Sequence, residues 1–142
     1  MTVEPITFRV VNLRVEKADI RVCRPSRWGN PWAVRRNSGH GWRVEPAKSP
    51  DYSLDDESHV FQDRHMAHVW AVEAYRGWLK GREDLVSQLL LELNDRGASQ
   101  GWTYRDHPEE VTLGCWCAPL PCHGDVLADM LALKLKRWNT RA

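Results

Sequence analysis

The sequence predicts a small single α/β domain, a mixed sheet of about four to five strands packed with three helices, on three observations. Alternating apolar and polar residues mark several short strands. Three later stretches carry apolar residues at helical spacing. Near the end, a strand, a tight turn and a helix follow one another directly, the arrangement in which open α/β sheets place ligands at strand carboxyl ends. At 142 residues with 42% apolar content and eight Trp, the chain can bury one core but not two. Residues 1–142 are therefore read as one domain.

The strand pattern opens with Ile6 to Leu13 and Asp19 to Arg24, read as a hairpin or strand pair joined by a short connection. Pro25, Gly29 and Pro31 then break regular structure and leave a loop with free backbone donors. Trp32 to Arg35 and Gly41 to Val44, separated by Asn37-Ser38-Gly39-His40, read as a second hairpin. An acidic, proline-containing stretch over about 45–58 reads as a variable surface loop. From about His59 to Leu79 the apolar positions recur at helical spacing, with Gly81 as a stop. A second helix is expected from near Glu83 to Asn94, followed by a polar insertion at about 98–110. Val111 to Cys117 reads as a buried strand, broken by Ala118-Pro119-Leu120-Pro121, and the last helix opens at His123 and carries its apolar face to Leu135.

Composition excludes some classes and favours others. No stretch approaches the ~20 apolar residues of a membrane helix, and Met1 to Val10 lacks the layout of a secretory signal. A cytoplasmic protein with no membrane association is the expectation. Four Cys in a reducing compartment then read as ligands, nucleophiles or packed residues rather than disulfides. The net charge of +1 conceals a basic segment from Arg9 to Arg43, interleaved with Trp28, Trp32 and Trp42. Such a segment suits phosphate or nucleic acid, and it equally suits solvated strands over a Trp-rich core.

Chemistry concentrates at Cys115-Trp116-Cys117 and Cys122-His123-Gly124-Asp125. Residues two apart on a strand share a face, so Cys115 and Cys117 point the same way. After the turn, Cys122 and His123 complete a donor set of three thiols and an imidazole that suits tetrahedral zinc. A competing reading makes Cys122 a low-pKa nucleophile at a helix N-terminus, His123 its proton carrier and Asp125 an orienting group or base. A third treats the cysteines as packed residues. Cys23 is a further sulfur, read as a packed strand residue. The second motif is the loop from Arg24 to Pro31, where Arg24 and Arg27 could hold an anion and Ser26 and Asn30 add directional hydrogen bonds. His65 and His68, one helical turn apart, are read as part of a solvated helix face. The phosphate-loop, dinucleotide-binding and His-Glu-x-x-His signatures are absent from the sequence, and the zinc-deaminase pattern fails because Asp125 stands at the position of its second Cys.

Arg24-Pro25-Ser26-Arg27-Trp28-Gly29-Asn30-Pro31-Trp32, Ala74-Tyr75-Arg76-Gly77-Trp78-Leu79, and the run from Leu113 to Leu127 resemble the family called domain of unknown function 4326, common in bacteria and phages. The resemblance covers most of the chain in order. It implies that both loops belong to one compact domain and that the Cys, Cys, Cys-His and Asp positions are the family's own marks. Trp32 stands where the family more often has Phe. The longer middle, from Arg35 to about His65, and the polar insertion depart from the pattern. Two functions follow as expectations. The first is binding or processing of a nucleotide or other phosphate-bearing small molecule at a Cys/His/Asp site. The alternative is a non-catalytic zinc-stabilised module that binds nucleic acid or a protein.

Overall fold

The computed structural model describes residues 6–24, 26–47, 59–102 and 107–141. They form an α/β domain in which six strands divide between two small sheets and three helices cover them. Pro25 and most of the expected middle loop, residues 48–58, lie outside the described residues, as do residues 103–106 of the polar insertion. No helix among the described residues is long and apolar enough to cross a membrane.

The first sheet is parallel, in the order β1-β6-β2. Its centre is β6, Glu110–Cys115, where Val111, Leu113, Gly114 and Cys115 are all buried. A strand buried on both faces loses the simple alternation of a half-exposed one, and β6 shows that loss. On its two sides lie β1, Thr7–Asn12, and the short β2, Ile20–Arg21. The two opening strands thus pair with β6 rather than with each other. Alternation reveals which face of a strand is buried, but not which neighbour it bonds.

Two local devices fix this insertion. A Cβ at Gly114 would lie 2.6 Å from Leu13 and 2.7 Å from Ala18, so glycine lets the β1–β2 connection lie against the strand. Asp19 accepts from the Thr112 backbone N–H at 2.8 Å and from its hydroxyl at 3.1 Å, which ties the start of β2 to β6.

The second sheet is an antiparallel meander of β3, Trp32–Arg36, β4, Trp42–Pro46, and β5, His59–Phe61. Its first turn places Gly39 and Gly41 at φ of 96° and 81°, the left-handed region that glycine tolerates. Residues 59–61 were expected to open a helix, but they pair with β4. Helix α1, Arg64–Lys80, starts only after Asp63, whose carboxylate caps the His65 N–H at 2.8 Å. Helix α2, Glu83–Ser99, runs past Asn94 and through Gly97. Its bare Cα faces the Trp102 ring, which a Cβ would overlap.

Helix α1 bridges the sheets. Its Ala67 and Ala71 pack with Val44 of the meander, and its Tyr75 and Leu79 enter the main core with Leu113, Leu127 and Leu131. The last two belong to α3, His123–Arg141.

Candidate metal centre and adjoining cleft

The centre sits where β6 ends and α3 begins. Cys115 is the last residue of β6, and its carbonyl accepts from the Leu13 N–H at 3.0 Å. The chain then turns through Trp116 to Pro121, with a cis Ala118–Pro119 peptide bond. Asn12, at the end of β1, holds this turn. Its Nδ2 donates to the Ala118 carbonyl at 2.7 Å and lies 3.4 Å from that of Trp116. Asp125, three residues into the helix start, accepts from the Cys122 N–H at 3.0 Å, as the acid of a capping box does.

Three donors converge inside this frame, Cys115, Cys122 and His123, and Cys117 lies beside the first of them. Cys115 Sγ lies 3.8 Å from Cys117 Sγ and 3.9 Å from His123 Nδ1, and Cys122 Sγ lies 3.6 Å from the same nitrogen. Cys115, Cys122 and His123 are all buried, and their donor atoms lie within 4.8 Å of one another. They are close enough to hold one metal ion. Cys117 is only partly buried.

The tautomer of His123 follows from its other partner. Nε2 lies 2.7 Å from the Val22 carbonyl, which can only accept, so Nε2 carries the hydrogen and donates. The Nδ1 lone pair is thereby turned toward the sulfurs. The Tyr75 ring stands edge-on to the imidazole at 5.1 Å, and its hydroxyl donates to the Trp28 carbonyl at 2.8 Å. Core packing and hydrogen bonding together fix the ring.

Electrostatics in the cluster divide the three thiols. Hydrogen bonds donated by Cys117 and Cys122 hold the Cys115 thiol far below its usual range. Cys117 is pushed up to about 12, first by its bond to Cys115. Cys122 is raised, by its bonds to Cys115 and Cys117 and then by burial. The helix N-terminus does supply a donor to its sulfur, from Gly124 N–H at 3.3 Å. The sulfur neighbours outweigh it, so the expectation of a low-pKa Cys122 is reversed and the acidified thiol is Cys115. Cys23 packs against Cys115 and Cys122, and burial pushes its thiol up.

A cleft of about 200 Å³ opens beside the cluster. Cys115, Cys122 and His123 line its buried side, and Arg24, Trp32, Trp116 and Cys117 line the rest with Asn30 and His68. The structure therefore brings part of the Arg24–Pro31 loop to the Cys/His turn and leaves part of it elsewhere. Ser26 and Arg27 face α2 instead, bordering a separate depression with Gln88 and Glu92, and Arg27 bonds Gln88 Oε1. Trp28 decides this split by donating its Nε1 hydrogen to the Leu85 carbonyl at 2.8 Å, which turns its neighbour outward.

Asn30 is near the cleft but already bonded at both ends. Nδ2 donates to the Ala71 carbonyl at 3.1 Å and Oδ1 accepts from the Trp32 N–H at 2.9 Å. It clamps the loop to α1. Arg24, at an exposed position, donates through Nη1 to the Asn30 carbonyl, and the same nitrogen lies 3.4 Å from the Trp32 carbonyl; among the described residues its Nε and Nη2 have no hydrogen-bond partner. Asp125 is exposed and is not among the cleft residues.

His68 corrects the expectation of a solvated histidine pair. His65 is exposed, but His68 is 8% exposed and faces the cleft, its imidazole pKa lowered by burial and then by the Arg64 charge. The signal was available: stepping back from Tyr75 and Val72 by helical periods along the buried stripe arrives at position 68. Asn12 offered no such signal, because the carbonyls its Nδ2 reaches lie more than 100 residues away in sequence.

The fold and site define a small α/β domain built around a buried Cys/His cluster. The chain belongs to the family described as Domain of unknown function (DUF4326), whose model matches residues 8–133. Neither the curated proteins nor the solved structures contain a significant match.

Proposed function

We propose that Cys115, Cys117, Cys122 and His123 bind one structural zinc ion, and that the cleft beside it receives a phosphate-bearing small molecule. The observation that carries the reading is the spacing of the donors. Zinc–sulfur bonds of about 2.3 Å and zinc–nitrogen bonds of about 2.0–2.1 Å at tetrahedral angles give edges of roughly 3.8 Å between sulfurs and roughly 3.6 Å from sulfur to nitrogen. The Cys115–Cys117, Cys115–His123 and Cys122–His123 separations of 3.8, 3.9 and 3.6 Å are close to three of the six such edges, and Cys117, outside the mutually close trio, would complete the set by a small side-chain movement. The Nε2 hydrogen bond to the Val22 carbonyl is the outer-shell support that metal-binding histidines use.

Four protein donors fill a tetrahedral ion, which is the hallmark of a structural site rather than a catalytic one. Zinc would then brace the turn that forms one side of the cleft. Its thiolates would be metal ligands, so Cys122 would not attack a substrate. This gives the zinc part of the alternative module a firmer basis than the catalytic Cys122, His123 and Asp125 set. The phosphate part rests on Arg24, which lines the cleft and whose Nε and Nη2 have no hydrogen-bond partner among the described residues.

The test separates Arg24 from Arg27. Titration calorimetry with inorganic pyrophosphate should show Arg24→Gln weakening binding by ~1–3 kcal/mol, the scale of a charge-assisted hydrogen bond. Arg27→Ala, which faces α2, should leave the Kd unchanged. Equal losses in the two variants would place the anion outside this cleft.

A further inference from the structure

The carboxyl ends of the three parallel strands share one edge of the sheet, beside the cleft that Trp116 lines, and each brings a residue suited to a nucleotide. Arg14 lies two residues beyond β1, Arg21 ends β2 and Trp116 follows β6. Ligands of open parallel sheets gather at this edge. Trp116 is 45% exposed, an unusual position for so large an apolar ring. The guanidinium carbons of Arg14 and Arg21 each lie 5.9 Å from its ring centroid.

The charges here are not neutralised locally. Arg9, on the same sheet, bonds Glu16 and Glu110, both at 2.9 Å. Arg14 and Arg21 have no carboxylate partner among the described residues. Asn12 keeps the platform in place through the Trp116 and Ala118 carbonyls, and its Oδ1 accepts from the Arg14 N–H at 2.9 Å. A single side chain thus ties the backbone of Trp116 and of Arg14 to the end of β1.

Size sets the occupant's layout. A cleft of about 200 Å³ is smaller than the ~300–1,000 Å³ of pockets that enclose a whole drug-sized ligand. A phosphate and part of a sugar fit inside it, and the remainder must lie across the rim. The rim carries an indole ring with two guanidiniums over it at 5.9 Å, and a base that stacks on the ring would displace a guanidinium toward the phosphate it can pair with.

We infer that Trp116, Arg14 and Arg21 form the outer half of a nucleotide site, with the base stacked on Trp116 and the phosphate directed toward Arg24. The inference rests on the reading of the cleft as an anion site, but not on the metal.

Calorimetry on the full chain compares adenosine 5′-monophosphate, ribose 5-phosphate and inorganic phosphate. The nucleotide should bind at least ~10-fold more tightly than ribose 5-phosphate, the scale of one base–aromatic stack. Trp116→Ala should bring the nucleotide's affinity down to that of ribose 5-phosphate measured on the same variant, and Trp116→Phe should keep most of the margin. Nucleotide and sugar phosphate binding equally well would overturn the stacking site while leaving the anion cleft intact. No binding of any of the three would overturn both. A short single-stranded oligonucleotide identifies the source: affinity above that of the mononucleotide marks a nucleotide within a strand, and equal or lower affinity marks a free one.

Discussion

Cys122→Ala is expected to abolish stoichiometric zinc binding and to lower stability by about 3–5 kcal/mol in protein prepared with zinc. Three effects act in the same direction. The site loses a ligand, and structural zinc contributes directly to folding. The Gly124 N–H loses its sulfur acceptor, and a side chain only 1% exposed leaves a void against Cys23 and Cys115. Chemical denaturation with and without a chelator separates these contributions. In the wild type the chelator should lower the melting temperature, whereas in Cys122→Ala it should change nothing. A chelator effect of the same size in both would show that the metal sits elsewhere.

Leu113→Ala should cost about 2–5 kcal/mol irrespective of metal. Leu113 is fully buried at the centre of the middle strand, in one cluster with Ile20, Val126 and Leu131. Its neighbours belong to other elements held by their own hydrogen bonds, so they cannot collapse into the space left behind. The denaturation midpoint should fall in zinc-loaded and chelated protein alike. A loss seen only in the loaded form would mean that this strand is held by the metal rather than by its core.

The comparison of these two positions explains what could be read from the sequence. The cluster was legible because two short-range rules sufficed. Strand periodicity put Cys115 and Cys117 on one face, and helix-start chemistry put Cys122 and His123 beside them. The family was legible for a related reason, since its marks are contiguous runs. The division into two sheets was not, because β1 and β2 each read as a strand while their partner β6 lies about 100 residues away in the pairing register. The β5 to α1 boundary was obscured because Val60 and Phe61 satisfy strand and helix patterns equally.

The two arginines show the same limit within a single loop. Arg24 and Arg27 are equivalent by composition and spacing. Only the anchoring of Trp28 on α2, a contact over 57 residues, sends one to the cleft and the other to Gln88. His123 changes meaning for a similar reason. As a helix-start residue it reads as a proton carrier or a ligand. With Nε2 bonded to Val22 and Tyr75 against its ring, His123→Ala is expected to destabilise the fold as well.

The most direct test of the metal centre is substitution with cobalt(II), whose visible spectrum reports coordination number and ligand type. Purified full-length chain should take up one equivalent, displaced by one equivalent of zinc. It should show the strong visible bands of a four-coordinate ion together with near-ultraviolet thiolate charge transfer that weakens in Cys117→Ser. Failure to bind either metal, or a weak six-coordinate spectrum without thiolate bands, would contradict the account.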